Sequence, residues 1–81
     1  MDKKYEIILY GATGFTGQIC CKYIRDNYPD LLWAIGGRNK EKLQQIKSDF
    51  NLNCDVIEAD GADMEALKLM TSQTKVVLST A

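Results

Sequence analysis

Gly11, Gly14 and Gly17 recur at three-residue spacing in the segment Gly11-Ala12-Thr13-Gly14-Phe15-Thr16-Gly17, directly after the apolar run Ile7-Ile8-Leu9-Tyr10. Glycines so placed between a buried strand and a helix have three separate tasks in holding a dinucleotide pyrophosphate. Gly11 permits the tight turn out of the strand. Gly14 lacks the Cβ that would hold the pyrophosphate off the backbone, and Gly17 lets the helix lie close to the strand. The amides around Phe15 and Thr16 then form a helix start, where unpaired N–H groups and the helix dipole attract an anion. The hydroxyls of Thr13 and Thr16 add donors. A structural turn is the alternative for a glycine triplet met alone, and the flanking strand and helix favour the phosphate loop. No Gly-Lys-Ser/Thr follows, so a Walker loop is excluded.

The second strand selects the cofactor. Domains that prefer NAD place a carboxylate about 20 residues beyond the glycines, on the ribose 2′-hydroxyl. Here that position is Gly37, followed by Arg38 and Asn39. A guanidinium is a planar, permanently charged fork suited to a 2′-phosphate, and the glycines leave room for it. NADP is therefore the expected cofactor, with NAD the less favoured one. A solvated arginine at a helix start is the plainer reading of Arg38. Asp60 ends the third strand, either beside the adenine or only as a turn former. Lys40, Glu41, Lys42 and Lys47 read as a solvated helix face.

The chain has 81 residues, 46% of them hydrophobic and 26% charged, with a formal net charge of −1. That balance offers no basic field for nucleic acid or an anionic membrane. The apolar runs fall far short of the roughly 20 residues a membrane helix needs. Met1-Asp2-Lys3-Lys4 has no signal-peptide pattern, and the expected location is the cytoplasm. There is no histidine, which excludes histidine metal sites and Ser-His-Asp triads within this segment; no metal site is expected. Cys20, Cys21 and Cys54 form no C-x-x-C pair and read as reduced packing residues.

The elements that must position these residues alternate in period. Tyr5 to Tyr10 reads as a strand buried on both faces. Phe15, Ile19, Cys20, Tyr23 and Ile24 then recur at helical spacing, up to a stop near Pro29. Leu31 to Ile35 is a second strand closed by Gly36-Gly37. Asn39 caps a helix carrying Leu43, Ile46 and Phe50. Cys54 to Ala59 is a third strand, Asp63 caps a helix through Ala66, Leu67 and Met70, and Lys75 to Ser79 is a fourth strand. This order predicts an α/β fold, a Rossmann-type parallel sheet with helices on both faces and strand order 3-2-1-4. Residues 1–81 are expected to be the N-terminal half of such a domain, with the substrate and catalytic region outside this chain. The apolar edge of the fourth strand, Val76-Val77-Leu78, invites pairing with another chain.

Tyr10 to Gly17, together with Trp33-Ala34-Ile35-Gly36-Gly37-Arg38-Asn39-Lys40-Glu41-Lys42-Leu43, resembles the saccharopine dehydrogenase-like oxidoreductases, in particular the branch of the trans-acting enoyl reductases. The resemblance extends over nearly the whole chain. It implies an NADP-dependent oxidoreductase whose N-terminal portion binds cofactor, joined to a region for a small-molecule substrate and for dimerisation. It places Gly11, Thr13, Gly14, Phe15 and Thr16 on the pyrophosphate and Arg38 and Asn39 on the adenosine phosphate side. It further puts Asp60 near adenine and Ser79, Thr80 and Ala81 beside the nicotinamide-side ribose. No catalytic residue follows from it. Two other classes share such a glycine loop: the NmrA-like sensors that bind NADP without turnover, and short-chain epimerases or reductases, whose Tyr-x-x-x-Lys pair is absent here.

Overall fold

The second strand holds the least polar stretch of the chain and takes the centre of the fold. In the computed structural model, which describes residues 3–80, Trp33–Gly37 is buried at every position. It forms β2 of a parallel sheet whose other strands are β1 (Tyr5–Tyr10), β3 (Asp55–Glu58) and β4 (Thr74–Ser79), in the order β3-β2-β1-β4. Helices α1 (Phe15–Asn27), α2 (Lys40–Asp49) and α3 (Met64–Ser72) make the connections. The fold class and strand order are those the alternating periods predict.

Two apolar layers lie on opposite faces of the sheet. Leu9, Cys21, Ile24, Ile35, Leu43 and Ile46 fill the layer beneath α1 and α2. Ile8, Ala34, Ala59 and Met70 fill the one beneath α3. Full burial of a side chain such as Leu43 or Ile8 contributes about 1.5–3 kcal/mol each. Arg25 ties the ends of α1 and α2 together by donating from Nη1 to the Phe50 carbonyl at 2.9 Å.

The structure shifts two local expectations. The second strand starts at Trp33 rather than Leu31, because the turn over Pro29 and Asp30 runs on to Leu31, whose N–H bonds the Tyr28 carbonyl. Gly36 and Gly37 belong to the strand and pair with Tyr10 and Glu58. On α1 the buried line is Gly17, Cys21 and Ile24; of the stripe Phe15, Ile19, Cys20, Tyr23 and Ile24, Ile24 is buried and Cys20 packs against the core, whereas Phe15, Ile19 and Tyr23 do not. Those three are 81%, 52% and 58% exposed. The sequence offers two apolar lines on this helix, and the close approach at Gly17 selects the one that contains it.

Candidate functional site

The carboxyl ends of β1, β2 and β3 lie side by side, so the loops leaving them share one edge of the sheet. The loop after β1 begins with Gly11 at φ 89°, in the left-handed region that favours glycine. Its N–H bonds the Gly36 carbonyl at 2.9 Å, and its carbonyl accepts from Gly14 at 3.1 Å. Gly17 is a glycine of close approach. A Cβ there would lie 2.5 Å from the Gly11 oxygen and 2.7 Å from the Ala12 Cα, both backbone atoms that no rotamer moves.

Gly14 differs from both. Its φ of −76° and ψ of 167° suit any residue, and a Cβ would lie 3.5 Å from the Gly11 oxygen, an ordinary contact. Nothing within the fold requires glycine at this position. Gly14 is also the N-cap of α1, and neither it nor any other side chain caps the helix. No acid stands in the first turn, and among the described residues nothing accepts from the amides of Phe15, Thr16 or Gly17. Three backbone donors at the positive end of a thirteen-residue helix therefore have no acceptor among the described residues, those of Phe15 and Thr16 on exposed residues and that of Gly17 on a buried one. Glycine at 14 leaves the space beside these donors free of a side chain.

Next to this helix start is an open cavity of about 570 Å³, within the usual range for small-molecule sites. The structure gathers Gly11 and Thr13 from the first loop, Gly37, Arg38 and Asn39 from the second, and Asp60 from the third around it. Gly14, Phe15, Thr16 and Gly17 continue from the first loop into α1 and are not on the cavity wall. Thr80 N–H bonds the Tyr10 carbonyl at 2.9 Å, and its hydroxyl lies 3.1 Å from the Gly11 oxygen and 3.2 Å from the Tyr10 oxygen. The hydroxyl proton is thus engaged in pinning the glycine loop, and Ser79 pairs with Tyr10. Ala81 lies outside the described residues.

Charge is distributed unevenly around the cavity. Arg38 and Asn39 form a divide: a second groove beyond them is lined by Glu41, Gln44, Gln45, Ser48 and Glu58. Neither of those carboxylates lines the first cavity. The acid inside it is Asp60, whose Oδ1 accepts from Ala62 N–H at 3.0 Å and so shapes the turn into α3. Asp60 is a turn former and a cavity residue at once.

Tyr10, Gly61 and Ala62 also line the cavity without a site role having been read for them from the sequence, and so does Lys42, which the sequence places on a solvated helix face and which is indeed exposed. Tyr10 is the residue before the glycine loop, and its hydroxyl donates to the Ala59 carbonyl at 2.9 Å, bracing the third loop against the first strand. Its position as the last residue of an apolar strand was the available signal. For Lys42 no such signal exists, since helix phase alone does not say which flank meets a neighbouring loop.

The strongly perturbed groups lie elsewhere. Burial pushes the Cys21 thiol up to about 11 and the Cys54 thiol up to about 12, which makes both poor nucleophiles. Tyr5 is raised to about 12 by burial and by its hydrogen bond to Asp55, at the far end of the sheet. Among the described residues there is no cluster suited to a metal ion and no helix long and apolar enough to cross a membrane.

No protein-family model matches the chain. A lipid droplet localized protein of Caenorhabditis elegans is 32% identical over 85 residues, covering 94% of this chain and 20% of its own length. A trans-acting enoyl reductase of Mycobacterium leprae is 30% identical over 81 residues, covering 96% and 19% respectively. A saccharopine dehydrogenase-like oxidoreductase of Mus musculus is 29% identical over 93 residues, covering 96% and 22%. The chain spans about a fifth of the length of these curated relatives.

Proposed function

Given that the chain is homologous over nearly its whole length to trans-acting enoyl reductases and to a saccharopine dehydrogenase-like oxidoreductase, the family its motifs resemble, we propose that it binds the adenosine-pyrophosphate side of NADP. In this reading it is the cofactor-binding segment of an oxidoreductase acting on a small-molecule substrate. The observation that carries the proposal is the start of α1, with uncapped amides and a glycine at 14 that the fold itself does not need.

The amides of Phe15, Thr16 and Gly17 hold the pyrophosphate, and the helix dipole adds to their attraction. Gly37 keeps the rim of β2 free of a carboxylate that would repel a 2′-phosphate. Arg38 takes that phosphate with charge-assisted hydrogen bonds. Asp60 and Tyr10 fix the third loop as a wall beside the adenine. Thr80 anchors the glycine loop from β4, which keeps the donors aimed at one place. The bound nicotinamide supplies hydride exchange with a carbon centre, and these residues set where it lies.

Titration of NADP and NAD into wild type, Gly14→Val and Arg38→Ala tests the reading. NADP should bind more tightly than NAD. Arg38→Ala should weaken NADP about ten- to a hundredfold, equivalent to about 1.5–3 kcal/mol, and leave NAD nearly unchanged. Gly14→Val should remain folded and lose both cofactors. Wild-type affinity in a folded Gly14→Val would overturn the pyrophosphate assignment, and equal losses of the two cofactors in Arg38→Ala would remove the preference for NADP.

A further inference from the structure

The charged residues at the start of α2 look alike in sequence, and the structure separates them. Lys40 and Glu41 line the groove on the outer side of Arg38 and Asn39. Lys42 instead lines the cavity, together with Gly11, Thr13, Arg38 and Asp60. Two local features set that direction. The Asn39 side chain accepts from Lys42 N–H at 3.1 Å, which fixes how the first turn begins. Leu43 is fully buried against the face of Gly37, so the preceding residue, turned by about 100° of helix, falls on the flank beside the first loop.

We propose that Lys42 is a second cation of the 2′-phosphate subsite, acting with Arg38 to discriminate NADP from NAD. This rests on the dinucleotide reading above. The charge balance of the cavity makes the second cation matter. A phosphate monoester carries about −1.5 to −2 at neutral pH. Arg38 supplies one positive charge, and the Asp60 carboxylate on the same wall opposes it. These two alone leave the cavity without net attraction for a dianion. Lys42 tips the balance to positive, and its ammonium is not already committed: among the described residues the one ion pair is Arg25–Asp26. The two cations also differ in kind, since Arg38 offers a rigid fork at the rim whereas Lys42 offers a point charge on a flexible four-carbon stem.

The test uses probes that need only the adenosine side, 2′,5′-ADP and 5′-AMP, titrated into the chain and followed by NMR. Lys42→Ala should weaken 2′,5′-ADP about tenfold, the usual scale for one charge-assisted contact, and leave 5′-AMP unchanged. Lys40→Ala, on the other side of Arg38, should change neither. Wild-type affinity of Lys42→Ala for 2′,5′-ADP would overturn the proposal, as would equal losses of the two probes or a matching loss in Lys40→Ala. If Arg38→Ala loses 2′,5′-ADP selectively and Lys42→Ala does not, the dinucleotide reading stands and the role of Lys42 falls. If neither probe binds wild type, both fall together.

Discussion

Helices α1 and α3 both follow a strand at the same edge of the sheet, yet their first turns are built in opposite ways. At α3, Asp63 Oδ1 accepts from the amides of Glu65 and Ala66 at 3.1 and 3.2 Å, and Glu65 adds a negative charge to the first turn. The loose donors of that helix are satisfied by its own sequence. At α1 the same position is Gly14, the first turn has no acid, and the donors stay open. Since glycine at an N-cap is only a few tenths of a kcal/mol worse than aspartate, leaving α1 open costs the fold little. In the proposed reading, a helix start left open beside a cavity whose two cations form no ion pair among the described residues serves an outside acceptor, whereas a capped one serves stability.

The largest expected effect distinguishes the glycines of the open start. Gly17→Val drives a side chain into the backbone of Gly11 and Ala12, an obstacle that cannot rotate away. We expect a loss of about 3 kcal/mol, the upper end for overpacking, outweighing a helix-propensity gain of under 1 kcal/mol. Chemical denaturation of Gly17→Val beside Gly14→Val measures it, and equal stabilities would erase the distinction between a glycine of the fold and a glycine of the site.

Removing the closed start comes next. Asp63→Ala should cost about 1 kcal/mol, lowering the melting temperature by roughly 4–8 °C for a domain of this size, while dinucleotide affinity stays at the wild-type level. Thermal melts with cofactor titration report both quantities. A matching fall in affinity would mean that the start of α3 is part of the site.

The smallest effect on stability is the most direct exchange of one design for the other. Gly14→Asp gives α1 the cap that α3 has, and should stabilise the chain by a few tenths of a kcal/mol. Its carboxylate would occupy the donors and repel phosphate, so binding of NADP should be lost. A variant that is both more stable and still competent to bind would show that the open amides of α1 do not hold the ligand.

Much of this arrangement was legible beforehand because it depends on short-range chemistry. Asn39 and Asp63 were readable as caps, since a side-chain oxygen two or three residues ahead of free amides has few other partners. The glycine loop was readable because its spacing falls between a period-free apolar run and a helical one. The sheet order followed from right-handed crossovers between short connections. Of the stripe Phe15, Ile19, Cys20, Tyr23 and Ile24, Ile24 and in part Cys20 meet the core while the other three are exposed, because periodicity reports that a helix has an apolar stripe and not which flank of it meets the sheet.

The sequence by itself therefore determined the alternation of elements, their topology, the caps Asn39 and Asp63 and the place of the glycine loop between β1 and α1, all properties set within a few residues or by chain handedness. Only the tertiary structure decided which glycine answers to the fold and which does not, because that depends on the distance from Gly17 to backbone several residues away and on the open space around Gly14. It also decided that Lys42, and not Lys40, shares a cavity with Arg38 and Asp60. Those placements are set by how three loops from three strands converge, and no local pattern encodes the angle at which a helix flank meets a loop from another part of the chain.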